Sequence, residues 1–339
     1  MKKSFALILS CILTFALLIS ACSKPAAPAP QPAAQPTPTA ATKQPAAKGK
    51  QIIAFSLKTI TNDDFQKAIA DSIKKSVEDS GYEFMLVTAG TQTAVATQVN
   101  QIEDLITKGV TAMIVSPMDS KAVVPALKKV KAAGIPVVLV DQGIEPGNED
   151  LYLTFISTDN FNAGKVAGQR MAKEVGKGNV LLVRGANGSS AGDQRADGFK
   201  AGIKGSDVKI VGEQPGDWSN DKSMQVTENM LQANPQVGGI FSCSDVMLDG
   251  ILQALDSNKR KVDKIISVDG SKKAVDLIAE GKILGSMAQF PGKMGPLAVE
   301  KLKGVLEGKL DKVSIPKIID SGTMVYDKSS LDEARKWAF

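Results

Sequence analysis

From Gln51 onward, short apolar runs alternate with segments of helical period, and that alternation dictates an α/β fold. The runs occupy 52–57, 84–87, 112–115, 136–140, 180–183, 208–211, 239–241, 264–268 and 284–288. They are rich in Val and Ile and mostly uninterrupted, as strands buried on both faces must be. Between them the period changes. Phe65, Ile69, Ile73 and Val77 recur every four residues, and Gly81 stands where a helix-closing glycine belongs. Val99, Ile102, Leu105 and Ile106 repeat the pattern before Gly109, and Val124, Leu127 and Val130 repeat it before Gly134. Strand–helix alternation of this length predicts parallel sheets. The units are too many for one sheet, so the expected architecture is two doubly wound parallel-sheet lobes. No period suggests a solenoid.

Composition narrows the chemistry. The chain has no histidine, which removes His-based triads, imidazole acid–base catalysis and His-ligated zinc. The net charge of +5 is small, and no basic cluster suggests a nucleic-acid partner. The three cysteines are Cys11, Cys22 and Cys243. Cys243 ends the run Gly239-Ile240-Phe241-Ser242-Cys243 and reads as a buried small hydrophobe, because a reactive thiol needs an accessible, electropositive setting.

The first 22 residues have a separate logic. Lys2 and Lys3 precede an almost wholly apolar stretch from Phe5 to Ile19, and Ser20-Ala21 lead into Cys22. This is the layout of a secretory signal, and its ending resembles a bacterial lipobox. The pattern predicts cleavage after residue 21 and lipidation of Cys22, an anchor that holds to a membrane without spanning it. The expected address is the outer face of the bacterial cytoplasmic membrane. Residues 22–49 comprise Cys22 and a linker, in which residues 23–48, dominated by Ala, Pro, Gln and Thr, cannot bury a core and read as a spacer. Extended as polyproline II, it would reach roughly 80 Å.

In open parallel sheets, ligands bind at the carboxyl ends of the strands. The residues following the runs are Asn62, Asp64 and Phe65; Ser116; Asp141 and Gln142; Thr158, Asp159 and Asn160; Ser244 and Asp245; Asp269; and Gln289. Arg195 and Trp218 stand in expected loops of the second half. Carboxylates, amides, one guanidinium and an aromatic face suit a polyhydroxylated ring: hydroxyls donate to Asp and accept from Arg or Asn, while the apolar ring face lies on Trp. The segment Gly185-Ala186-Asn187-Gly188-Ser189-Ser190 follows a strand but lacks both G-x-G-x-x-G and the P-loop lysine, so it is expected to be a turn entering a helix.

From about Ile52 to Tyr326 the chain resembles the periplasmic sugar-binding proteins of the ribose-binding type, the substrate-binding subunits of ABC importers. The resemblance runs through Ser116-Pro117-Met118-Asp119-Ser120, Gly134-Ile135-Pro136-Val137-Val138 and Thr158-Asp159-Asn160-Phe161-Asn162-Ala163-Gly164. It continues in Gln194-Arg195-Ala196-Asp197-Gly198-Phe199, Val268-Asp269-Gly270 and Ala288-Gln289-Phe290-Pro291.

The resemblance implies two lobes joined by three chain crossings, with residues 50–158 and 290–318 in the first and 159–289 and 319–339 in the second. It implies a monosaccharide or polyol ligand, a membrane ABC permease as partner, a monomer, no cofactor, no metal and no catalytic residue. Asn62 and Phe65 match a first loop that contacts and stacks on the sugar, and Asp141 and Asp269 match carboxylates that accept its hydroxyls. Arg195 matches an oxygen-binding arginine, Trp218 a stacking aromatic and Gln289 a contact at a hinge crossing. The remaining expected contacts are Asp64, Ser116, Gln142, Thr158 and Ser244. Four of the positions depart from the ribose-type pattern. Gln142 replaces Arg, Ser116 and Ser244 replace Asn, and Asp64 occupies an aromatic position. The changes remove donors and add an acceptor, which argues for a sugar or polyol other than ribose. A sensory protein reporting a sugar or furanosyl signal to a membrane receptor is the alternative. The lactose-repressor class shares the fold, but the lipobox and spacer stand where its DNA-reading helices would be.

Overall fold

Twelve strands and ten helices among the described residues alternate as the apolar runs predict. The computed structural model describes residues 51–339, so the expected signal peptide, Cys22 and the spacer lie outside the described residues. The first sheet is built from β1 (Ile52–Leu57), β2 (Glu83–Thr88), β3 (Ala112–Val115), β4 (Val137–Val140) and β5 (Phe155–Ser157), with α1 (Asp64–Asp79), α2 (Val95–Thr107) and α3 (Val124–Ala132) between the first four. The chain then crosses to α4 (Asn160–Val175), β6 (Lys177–Arg184), α5 (Ser190–Ile203), β7 (Asp207–Pro215) and α6 (Asn220–Ala233). The second lobe continues with β8 (Gly239–Ser242), α7 (Leu248–Ser257), β9 (Ile265–Asp269), α8 (Lys272–Glu280) and β10 (Gly285–Gln289). The chain returns through α9 (Pro291–Leu306), which lies beside α1, to β11 (Ile318–Asp320). A third crossing leads to β12 (Thr323–Tyr326), and α10 (Leu331–Trp337) follows.

The first sheet has the order β11-β5-β4-β3-β1-β2 and is parallel throughout. The second runs β12-β10-β9-β8-β6-β7 and is parallel except for β12, which is antiparallel to β10. Each is doubly wound, and each reverses its order beside its first strand, where a crevice opens at the strand ends. The third crossing falls at 321–322 rather than at the expected 318/319 boundary. Ile318–Asp320 pairs with Phe155–Ser157 and so belongs to the first sheet.

Local chemistry explains the elements that carry the site. Asp63 caps α1, its carboxylate accepting from Gln66 N at 3.0 Å. The stripe of Phe65, Ile69, Ile73 and Val77 is buried against β1 and α9. Each such side chain contributes about 1.5–3 kcal/mol by leaving water. In the second lobe Phe199 and Phe241 stack at 4.4 Å with nearly parallel rings. Helices α4 and α5 approach with their backbones almost touching. A Cβ on Gly164 would stand 2.1 Å from Arg195 O, and one on Gly198 would stand 2.0 Å from Phe161 O. Backbone cannot swing aside, so Gly164→Ala is expected to cost about 1–3 kcal/mol by overpacking, read as a fall in the urea midpoint.

Candidate functional site

The carboxyl ends of both sheets face a small cavity of about 20 Å³ between the lobes. The first lobe sends Asp141 and Gln142 from the turn after β4, and Phe65 and Gln66 from the start of α1. The second sends Arg195 from α5, Trp218 from the turn before α6, Ser244 from the end of β8 and Asp269 from the end of β9. Strained backbone collects here. Asp141, Trp218 and Asp269 have φ of 65°, 56° and 132°, and Asn62 at the cavity mouth has 56°. Such conformations cost about 1–3 kcal/mol each and gather where a side chain must be aimed.

Arg195 and Asp269 form the polar centre of the second lobe, and both are almost wholly buried. Arg195 donates from Nε to Asn160 Oδ1 at 2.7 Å, and from Nη1 to Cys243 O at 2.7 Å and Asp269 Oδ1 at 3.2 Å. Its guanidinium carbon stands 5.9 Å from the Trp218 ring centroid. Asp269 also accepts from Gln289 Nε2 at 2.7 Å, Asp245 N at 3.0 Å and the Ser244 hydroxyl. Burial still pushes its carboxyl up to about 6, against the pull of Arg195 and with a further push from Asp245. Asp245 lies behind it, accepting from the hydroxyls of Ser267, Ser271 and Ser286 and from Ser271 N, and burial raises it too. In the first lobe Asp141 Oδ2 accepts from Gln66 Nε2 at 2.9 Å and Ser116 Oγ at 3.2 Å.

Seven of the expected contacts therefore line the cavity: Phe65, Asp141, Gln142, Arg195, Trp218, Ser244 and Asp269. Asn62 and Asp64 line the outer mouth instead, because the turn into α1 carries them toward solvent. Ser116, Thr158 and Gln289 are buried but stand off the cavity wall. Ser116 supports Asp141 from behind, and Gln289 donates to Asp269. The Thr158 hydroxyl lies 3.4 Å from Ser321 Oγ and donates to Gly322 O at 3.3 Å, tying two chain crossings together.

Sequence reasoning missed Lys58, Asp63 and Gln66. Lys58 is 4% exposed and its ammonium lies 5.2 Å from the Trp218 ring centroid. Among the described residues its ammonium makes no hydrogen bond or ion pair, while its carbonyl accepts from Gly90 N at 2.9 Å. It is the first residue after β1, so the strand-end rule that found Asp141 also points to it. Asp63 carried a capping signal; burial raises its carboxyl, although Lys58 pulls it down. Gln66 was the polar residue beside an apolar stripe, and its Oε1 is buried without a partner among the described residues.

Cys243 is wholly buried beneath this site, and burial pushes its thiol up to about 12. It packs as a small hydrophobe in the core of the second lobe. No cluster of metal-ligating side chains occurs among the described residues.

Two α/β lobes that gather carboxylates, a buried guanidinium and an aromatic face at their strand ends define a two-lobed solute-binding protein. The chain belongs to the periplasmic binding protein family, whose domain profile matches residues 53–310. It is 31% identical over 310 residues to the ribose import binding protein of Bacillus subtilis, covering 91% of this chain and 95% of that one. It is 29% identical to the D-allose-binding periplasmic protein of Escherichia coli, covering 79% and 90%. Among solved structures, an ABC transporter solute-binding protein of Agrobacterium vitis with bound D-fucose superposes with a TM-score of 0.79 at 27% identity, covering 85% and 100%. A periplasmic solute-binding protein of Actinobacillus succinogenes with bound D-allose gives 0.75 at 28% identity, covering 84% and 100%.

Proposed function

We propose that this chain is the extracytoplasmic substrate-binding lipoprotein of an ABC importer, capturing a monosaccharide or related polyol between its lobes by hinge closure. The observation that carries the reading is the composition of the interlobe wall. Asp141 comes from one lobe and Arg195, Asp269 and Trp218 from the other. A ring with hydroxyls on its edge and C–H bonds on its face satisfies both kinds of wall at once. The ligands named for the relatives support the sugar class. Lipidation of Cys22, a tether over 22–49 and a permease as partner complete the proposal. No helix among the described residues is long and apolar enough to cross a membrane.

Asp269 accepts from Arg195, Ser244, Asp245 and Gln289, which fix its carboxyl group at the cavity wall. The test is a thermal-shift screen of the body from residue 50 onward against monosaccharides, polyols and amino acids. A ligand that binds only the folded state adds about 3 kcal/mol at a hundredfold excess over its Kd. One sugar or polyol is expected to raise the melting temperature by several degrees. A shift by an amino acid alone would overturn the substrate class and leave the fold assignment intact.

A further inference from the structure

The 185–190 segment, which matches no phosphate-binding pattern, reaches across the cleft. Three hydrogen bonds join it to the first lobe, and each has both partners in the protein. Ser120 N donates to Gly188 O at 3.0 Å. Gly143 N donates to Ser190 Oγ at 2.8 Å. Ser189 Oγ donates to Gln142 Oε1 at 2.8 Å. These are ordinary strong distances.

The backbone is shaped for this approach. Gly188 has φ +81°, a backbone conformation that residues with a side chain rarely adopt, and a Cβ there would stand 2.1 Å from Asp119 Oδ2 of the first lobe. Ser189 is fully buried and also accepts from Gly192 N at 3.2 Å as the cap of α5. With that N–H on its oxygen, the hydroxyl proton goes to Gln142. The contact therefore fixes the orientation of the Gln142 amide at the cavity wall.

We infer that this loop is a latch, populating closed lobes without help from a ligand and setting Gln142 as a positioning residue for whatever the cavity holds. Gln142 stands at a position that the family resemblance expects to touch the ligand directly. Its carbonyl is instead engaged with the opposite lobe, so its orientation exists only when the lobes meet. Closure and recognition are coupled through one amide. Apparent affinity scales with the fraction of molecules already closed, so the latch tightens binding without touching the ligand. The effect on affinity rests on the cavity being the ligand site, as proposed above; the effect on lobe separation does not.

The test needs no ligand. Spin labels at Thr97→Cys on α2 and Gln225→Cys on α6, both exposed positions, report lobe separation in the body from residue 50, where Cys243 is buried. The otherwise unaltered protein is expected to show a ligand-free population at the closed distance. Ser189→Gly with Ser190→Ala should cut that population about tenfold, since each lost bond is worth a few-fold. Ser190→Ala alone leaves the α5 cap in place and should cut it about threefold. Ser219→Gly removes the equivalent cap of α6, which makes no interlobe bond, and should leave the distances unchanged. The latch is overturned if only the open distance appears in the unaltered pair, if the double variant matches it, or if Ser219→Gly has the same effect as the double variant. A failed sugar screen with these distances as expected would sink the substrate reading and leave the latch standing.

Discussion

Arg195→Met is expected to abolish ligand binding and to lower stability by about 3–5 kcal/mol. The two losses have one origin. The guanidinium is buried, and it serves Asn160 Oδ1, Cys243 O and Asp269 Oδ1 together. Methionine fills much of the same volume but leaves Asp269 as a buried charge without its cation and strands two further acceptors. A buried ion pair adds little to stability over an apolar replacement of the pair, whereas breaking it by removing one partner is costly. The double variant Arg195→Met/Asp269→Leu should therefore recover a large part of the lost stability, with a coupling energy well outside additivity. It should not recover binding, because the hydroxyl acceptor and the oxygen donor are both gone. Urea unfolding measures the first quantity, and titration calorimetry with the sugar found by the thermal-shift screen measures the second. Retained binding in Arg195→Met would reduce Arg195 to a scaffold residue.

The fold was legible because buried parallel strands cannot hide. Nine runs of Val and Ile mark nine of the strands, and the glycines after the first three helices do adopt positive φ, at 83°, 69° and 76° for Gly81, Gly109 and Gly134. The strands left unread are β5, β11 and β12. β5 and β11 have three residues each, and β11 and β12 are edge strands that leave Ile318, Met324 and Val325 exposed, so no apolar run identifies them. The site was legible to the extent that strand ends locate it. Asp141, Ser244 and Asp269 follow from that rule, while Arg195 and Trp218 were expected in loops; Trp218 does stand in a turn, but Arg195 lies inside α5. What the sequence does not carry is depth. Ser116, Thr158 and Gln289 have the right chemistry and stand one layer behind the wall, and only packing decides which layer a short polar side chain occupies. Lys58 was passed over because a lysine after a strand usually turns to water; here Trp218 covers it.

Stability and ligand affinity should respond to pH with opposite sign between about 4 and 7. Burial raises the carboxyl of Asp269 to about 6, and raises Asp63 and Asp245 as well. An aspartate in the unfolded chain titrates near 4. Between these values the folded protein holds the proton and the unfolded chain does not, so stability falls as pH rises. The contribution of Asp269 is complete below about 4 and lost as pH rises through 6, a change of roughly 3 kcal/mol. Carboxylates with lowered values, among them Asp150, Glu307 and Glu333, act the other way as pH falls toward 4, but they are exposed pairs and weigh little. Urea unfolding should thus show a more stable protein at pH 5 than at pH 7.5, and Asp269→Asn should flatten most of that difference. Ligand binding must run the other way. A protonated Asp269 is a weaker acceptor for both a hydroxyl and Arg195, so affinity should fall below pH 6 while the fold grows firmer. Stability that is flat or rising from pH 5 to 7.5 would mean that Asp269 titrates in the ordinary carboxylate range, with Arg195 and its other donors outweighing burial.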